Sequence, residues 1–117
     1  MKLCDLVRAL GAKVLVPGPM LEGEIKRVYA GDRISDLLSQ GDAGTLLVTN
    51  LTGLLILRAA EIMDVPAICL LNGVSSEPEL ATAAERNAVV LLVSPYDMFE
   101  TCGRLYECFA RAGETRQ

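Results

Sequence analysis

A chain of 117 residues, 51% hydrophobic and carrying a net charge of −4, is long enough to bury one core and lacks the basic footprint that nucleic-acid binding needs. Three Tyr, two Phe and no Trp make a poor platform for stacked bases, and no apolar run reaches the ~18 residues of a membrane span. There is no histidine, which removes Ser–His and Cys–His nucleophile pairs, imidazole metal ligands and the usual general base near neutral pH.

The chain opens on Met1-Lys-Leu-Cys-Asp5, with an acid and then Arg8 where a signal peptide would be apolar, so a cytoplasmic location is expected. Leu3, Leu6, Val7 and Leu10 recur at helical spacing, and Gly11 follows as a C-cap. Lys13 to Val16 reads as a short strand ended by Pro17-Gly18-Pro19, with a loop through Glu24. Ile25 to Ala30 reads as a half-exposed strand near the sheet edge. Asp32 or Ser35 can cap a short helix carrying Ile34, Leu37 and Leu38, and Gly41 to Gly44 turns the chain.

The next stretch organises the chain. Thr45–Thr49 and Ala67–Leu71 are apolar without alternation, as in parallel strands covered on both faces, and Thr52–Met63 is long enough to be the crossover helix. Val89 to Val93 repeats the strand pattern. The Thr52–Met63 helix is apolar nearly all round, with Arg58 and Glu61 as its polar stripe, so it needs cover from another helix or from a second copy of the protein. Ser76-Glu-Pro-Glu79 fits a capping box opening a helix to about Asn87. Ser94-Pro-Tyr-Asp97 starts the last helix, whose Met98, Phe99, Cys102, Leu105, Tyr106 and Phe109 form a stripe expected to face the core. The sequence thus predicts one domain over residues 1–112, a three-layer α/β/α fold with a largely parallel central sheet, and a frayed tail at 113–117.

No catalytic residue, cofactor or metal is expected. Cys4, Cys69, Cys102 and Cys108 form no CxxC pair and read as reduced structural thiols. Gly18 and Gly23 have Walker A spacing, but Glu24-Ile25 stands where Lys-Ser/Thr would reach the phosphates, and an acid there repels them. Asp32, Asp36 and Asp42 lie in a capping and turn region that explains them without Mg²⁺, and no carboxylate pair is placed for acid–base work.

Parallel sheets bind ligands beyond the carboxyl ends of their strands. There Asn50, Thr52, Asn72, Gly73 and Ser94 are candidates to hydrogen-bond a small anion such as a nucleotide, with Asp97 orienting them. The same residue types are ordinary caps and turn formers, and both readings stay open.

A run of segments resembles DRTGG domains, similar to the N-terminal domain of HPr kinase/phosphorylase. It comprises Gly31-Asp32, a short Ile/Leu helix, Gly44 to Thr49, an apolar helix, Val65 to Gly73, and a closing Phe99 with Gly103 to Glu107, and it spans Leu3 to Phe109. Asp32-Arg33 is not followed by Thr-Gly-Gly, and Leu71-Asn72-Gly73 keeps one glycine of that triplet. The resemblance implies helices on both sides of a largely parallel sheet, self-association, and a regulatory or accessory role. The missing histidine, P-loop and carboxylate pair lead to the expectation that the chain is not an enzyme. The P-loop that carries kinase chemistry in HPr kinase is missing. The expected function is a homodimeric regulatory module sensing a small anion such as a nucleotide. The alternative is a ligand-free interaction subunit docked on a partner enzyme of metabolism. No nucleic acid or membrane partner is expected.

Overall fold

A computed structural model describes residues 1–115. In chain order they form α1 (Leu3–Leu10), β1 (Lys13–Val16), a short 3-10 helix (Pro19–Glu22), β2 (Arg27–Ala30), α2 (Ile34–Gln40), β3 (Thr45–Val48), α3 (Leu54–Ile62), β4 (Ala67–Leu70), α4 (Pro78–Arg86), β5 (Val90–Val93) and α5 (Met98–Thr115). The strands make one five-stranded sheet in the order β1-β5-β4-β3-β2. β2 to β5 run parallel, and β1 lies antiparallel on β5.

Every residue of β3, β4 and β5 is buried, which is why their sequences do not alternate. Their side chains divide by strand periodicity into two cores. Leu47, Ile68, Leu70, Leu91 and Val93 pack with Leu37, Ile56, Leu57, Leu80 and Ala84 of α2, α3 and α4. Leu46, Val48, Ala67, Cys69, Leu71, Val90 and Leu92 pack with Leu3, Leu6 and Leu10 of α1 and Leu105 of α5. The three-layer α/β/α arrangement read from the sequence is therefore the one found. Burial pushes the Cys69 thiol up to about 12, outweighing the small opposing effect of the Ser94 N–H, so this residue acts as a small apolar side chain. Among the described residues no helix is long and apolar enough to cross a membrane.

Several local expectations are corrected. The residue at the head of α2 is Arg33, whose side chain makes no capping bond, and Asp32 points elsewhere. α4 is headed by Glu77 rather than Ser76, again without a capping bond from the side chain. Pro19–Glu22 forms a 3-10 helix where a loop was expected. On α3, Ile56, Leu57, Ala59 and Ala60 are buried, but Leu55 and Ile62 remain 69% and 71% exposed, so no helix of the described chain covers that face. On α5, Leu105 is buried and Met98, Cys102 and Phe109 pack against the core as expected, whereas Phe99 is 87% and Tyr106 77% exposed. Of the expected tail at 113–117, residues 116 and 117 lie outside the described residues.

One turn carries avoidable strain. Ala88, after α4, sits at φ 57°, in the left-handed region that costs an L side chain about 1–2 kcal/mol. Ala88→Gly is expected to raise unfolding stability by about 1 kcal/mol after its added unfolded-state entropy, measured as a higher denaturant midpoint at unchanged slope.

Candidate functional site

The parallel strands all end on one side of the molecule. The connections after β2, β3 and β4 lead to helices on one face, while the connection after β5 leads to α5 on the other. The carboxyl-end loops therefore part between β4 and β5, the topological switch point of this sheet.

The loop after β3 is held by a residue from the loop after β2. Asp32 Oδ1 accepts the Thr49 hydroxyl at 2.9 Å and the Asn50 backbone N–H at 2.7 Å, and Asp32 Oδ2 accepts the Asn50 side-chain amide at 3.1 Å. Thr49 is fully buried, and its Oγ1 accepts the Leu51 N–H at 3.1 Å. Partial burial acts to raise the Asp32 pKa, but the hydrogen bonds from Asn50 and Thr49 together outweigh it and hold the carboxyl below its ordinary value. Asp32 is thus a carboxylate with its acceptor capacity directed into the protein. It fixes an irregular backbone segment just before α3.

That segment ends at Gly53, which heads α3 with no side chain to cap the helix's first N–H groups. Thr52 donates its hydroxyl to Glu77 Oε2 at 3.4 Å, tying this loop to the start of α4. Beside it lies an open cleft of about 510 Å³ between Ile34 of α2 and the segment 50–56. Its walls are the apolar side chains of Ile34, Leu51, Leu54 and Leu55, and its polar groups come from Asn50, Thr52 and the backbone at Gly53. No Lys or Arg lines it. An anionic group placed there would rely on the α3 N-terminal N–H groups and the helix dipole.

At the switch point the arrangement is different. Asn72 and Gly73 adopt φ 57° and 64°, and their N–H groups donate across to Tyr96 O at 2.8 Å and Ser94 O at 2.9 Å. Ser94 is fully buried, with its Oγ 2.8 Å from Thr101 Oγ1 and accepting the Tyr96 N–H at 3.2 Å. Asp97 Oδ1 accepts the Glu100 N–H at 2.9 Å, capping α5. Arg104 lies 4.1 Å above the Tyr96 ring and pairs with Glu100 at 2.9 Å. The Asn72 and Gly73 bonds hold the two loops to each other, and the other contacts hold the turn from β5 into α5.

Of the sequence candidates, Asn50 and Thr52 border the open cleft. Asn72, Gly73, Ser94 and Asp97 form a second cluster around the β4 and β5 ends, with the bonds described serving the backbone, and the six do not ring a common cavity. Asp36 pairs with Arg33 at 3.8 Å, while Asp42 accepts from Gly44 and Thr45 and pairs with Arg27, so each of these acids has a local partner. Sequence reasoning missed Asp32 as the clamp on Asn50, and Glu77 as the partner of Thr52. The role of Asp32 follows from register, which the sequence does not show: β2 pairs with β3 so that Ala30 faces Val48, which carries Asp32 opposite Asn50 just beyond the ladder.

No family model and no curated protein matches the chain. Among solved structures it is similar to the CBS and DRTGG domains of the regulatory region of Clostridium perfringens pyrophosphatase, complexed with its activator diadenosine tetraphosphate. The TM-score is 0.73 at 15% sequence identity, over 86% of this chain and 44% of that one. The likeness is one of fold, and it bears out the DRTGG-like α/β architecture expected from the sequence.

Proposed function

We propose that the chain is a non-catalytic, homodimeric regulatory module that senses a nucleotide in the cleft beside the start of α3. The observation that carries this reading is the cleft itself: apolar walls that suit a base ring, beside an uncapped helix N-terminus that suits phosphate, on a loop held rigid by Asp32. The fold likeness to a regulatory region complexed with a dinucleotide activator supports it. Asp32 and Glu77 at the rim oppose bare phosphates, so binding should strengthen when Mg²⁺ partly neutralises the ligand.

Thermal unfolding against adenine and guanine nucleotides, with and without Mg²⁺ and at fixed protein concentration, tests this. A ligand at ~100 times its dissociation constant adds roughly 2.7 kcal/mol, a shift of several degrees for a domain of this size. A shift that Leu55→Trp abolishes by filling the cleft supports the site. The absence of a shift from every nucleotide favours the second reading, a ligand-free interaction subunit of a metabolic enzyme complex. That reading is supported by the exposed Leu55 and Ile62 on α3.

A further inference from the structure

The sheet has two edges, and they differ. At one, β1 carries Lys13 and a register break between Val14 and Val16, features that discourage further strand pairing. At the other, β2 keeps an unbroken register with β3 from Arg27 to Ala30. Its one charged residue is turned back onto the protein: Arg27 meets Asp42 at 3.3 Å and donates to Gln40 O at 3.4 Å. The ladder also fixes which groups stay free. Arg27 and Gly31 donate their N–H groups to Gly44 O and Val48 O of the β3 side. By strand alternation Tyr29 faces β3 with them, and Val28 and Ala30 direct their N–H and C=O groups outward.

Beside this edge lies an aromatic surface. Of the three Tyr and two Phe in the chain, Phe99, Tyr106 and Phe109 all fall on α5. Tyr106 and Phe109 line, with Val28, Ala30 and the basic residues Lys26 and Arg27, a trough of about 460 Å³ along β2. Phe99 and Tyr106 are the two most exposed large hydrophobic side chains among the described residues. The charges flanking this stripe are already neutralised in pairs, Glu100 with Arg104 at 2.9 Å and Glu107 with Arg111 at 2.7 Å. Arg27 at the trough is paired as well, which leaves Lys26 as the basic group at its end, and aromatic surface of this kind suits the centre of a protein interface.

We infer that a second copy of the chain docks along this edge, β2 antiparallel to β2 about a two-fold axis at Tyr29. The two sheets become one continuous sheet, and the α5 aromatic side chains of both copies meet over the seam. This interface presupposes the homodimer of the functional reading. With the axis at Tyr29, Val28 of one copy stands opposite Ala30 of the other, and each such pair exchanges both N–H···O bonds. Arg27 then stands opposite Gly31, so no like charges face each other across the seam. A two-fold axis normal to the sheet keeps both α5 helices on one face, which closes the troughs beside both β2 strands. One occupant thus satisfies the open strand edge and the uncovered aromatic stripe together.

Sedimentation of the full chain across a concentration series tests the interface, with circular dichroism as the check on folding. The wild type is expected to sediment as a dimer of the 12.6 kDa chain. Val28→Pro removes an outward N–H that makes no ladder bond to β3, and Tyr106→Glu places a charge on the seam without touching β2. Each should weaken dimerisation about tenfold or more with the fold retained. Leu55→Asp, on the exposed face of α3, should leave the dimer intact. If Val28→Pro does not fold, Tyr106→Glu decides. A wild type that is monomeric throughout removes this interface and the homodimer reading with it. A dimer that survives Tyr106→Glu, or one dissolved by Leu55→Asp, overturns this interface and leaves the homodimer reading standing.

Discussion

Thr101→Val is expected to cost about 1–3 kcal/mol of unfolding stability, a large loss for the removal of one hydroxyl. The substitution keeps the branched shape and the volume, so the loss isolates the polar contact. Thr101 and Ser94 are both fully buried, and their hydroxyls lie 2.8 Å apart where β5 gives way to α5. Thr101 has only a long second contact, to Tyr96 O at 3.5 Å, and Ser94 otherwise accepts the Tyr96 N–H. Without Thr101 Oγ1, the Ser94 hydroxyl sits buried with that one partner, and its desolvation is no longer offset. Ser94→Ala should cost a similar amount, since it leaves both Thr101 Oγ1 and the Tyr96 N–H short of a partner. The double substitution should cost less than the sum by about 0.5 kcal/mol or more, because each single change already breaks the shared bond. Denaturant unfolding of the four proteins measures this. Strictly additive costs would mean that the two hydroxyls act independently, whatever their separation.

The comparison of sequence with structure turns on the range of each interaction. β3, β4 and β5 were legible because burial on both faces writes itself into consecutive residues: Thr45–Val48, Ala67–Leu70 and Val90–Val93 need no partner to be read. Gly11 was legible as a C-cap for the same local reason, and it does adopt φ 64° with its N–H on Arg8 O. Asp32 was not. An aspartate just before a helix is as good a cap as it is a clamp, and only the β2–β3 register shows that Thr49 and Asn50 lie within its reach. The α5 stripe meets the core at Met98, Cys102, Leu105 and Phe109 and departs from it at Phe99 and Tyr106, for a geometric reason. Phe99 and Tyr106 are seven residues apart, on a line offset from the line through Leu105, and which line meets the sheet depends on the rotation of α5, which spacing does not encode. The candidate loops were found as a set because strand ends are legible. Their division into an open cleft at β3 and a closed pair of loops at β4 and β5 depends on the backbone bonds of Asn72 and Gly73, which composition cannot show.

Asp32→Ala should do two things at once: lower unfolding stability by about 1–3 kcal/mol and abolish the thermal response to nucleotide. The stability cost follows from removing an acceptor shared by the Thr49 hydroxyl and both donors of Asn50, discounted because the carboxylate is largely exposed to solvent. The loss of response follows because the segment between Thr49 and Gly53 has no strand or helix bonds of its own to hold it in place. The pH dependence separates charge from shape. The folded-state pKa of Asp32 lies below its unfolded value of 3.8, so its contribution is complete above 3.8 and is lost as pH falls through the folded value. Asp42 is shifted in the same direction, so acid sensitivity of the wild type alone does not identify the group. The difference between wild type and Asp32→Asn does. The amide keeps one acceptor and the side-chain volume, so its cost near pH 7 should be smaller than that of alanine. The gap should then narrow as the wild-type carboxyl is protonated below 3.8, because both proteins then carry a neutral side chain at the clamp. A gap that stays constant through that range would mean that the loop is held by the shape of the side chain and that ionisation contributes nothing. A stability loss with the nucleotide shift intact would place the ligand away from the β3 end and move the search to the trough beside β2.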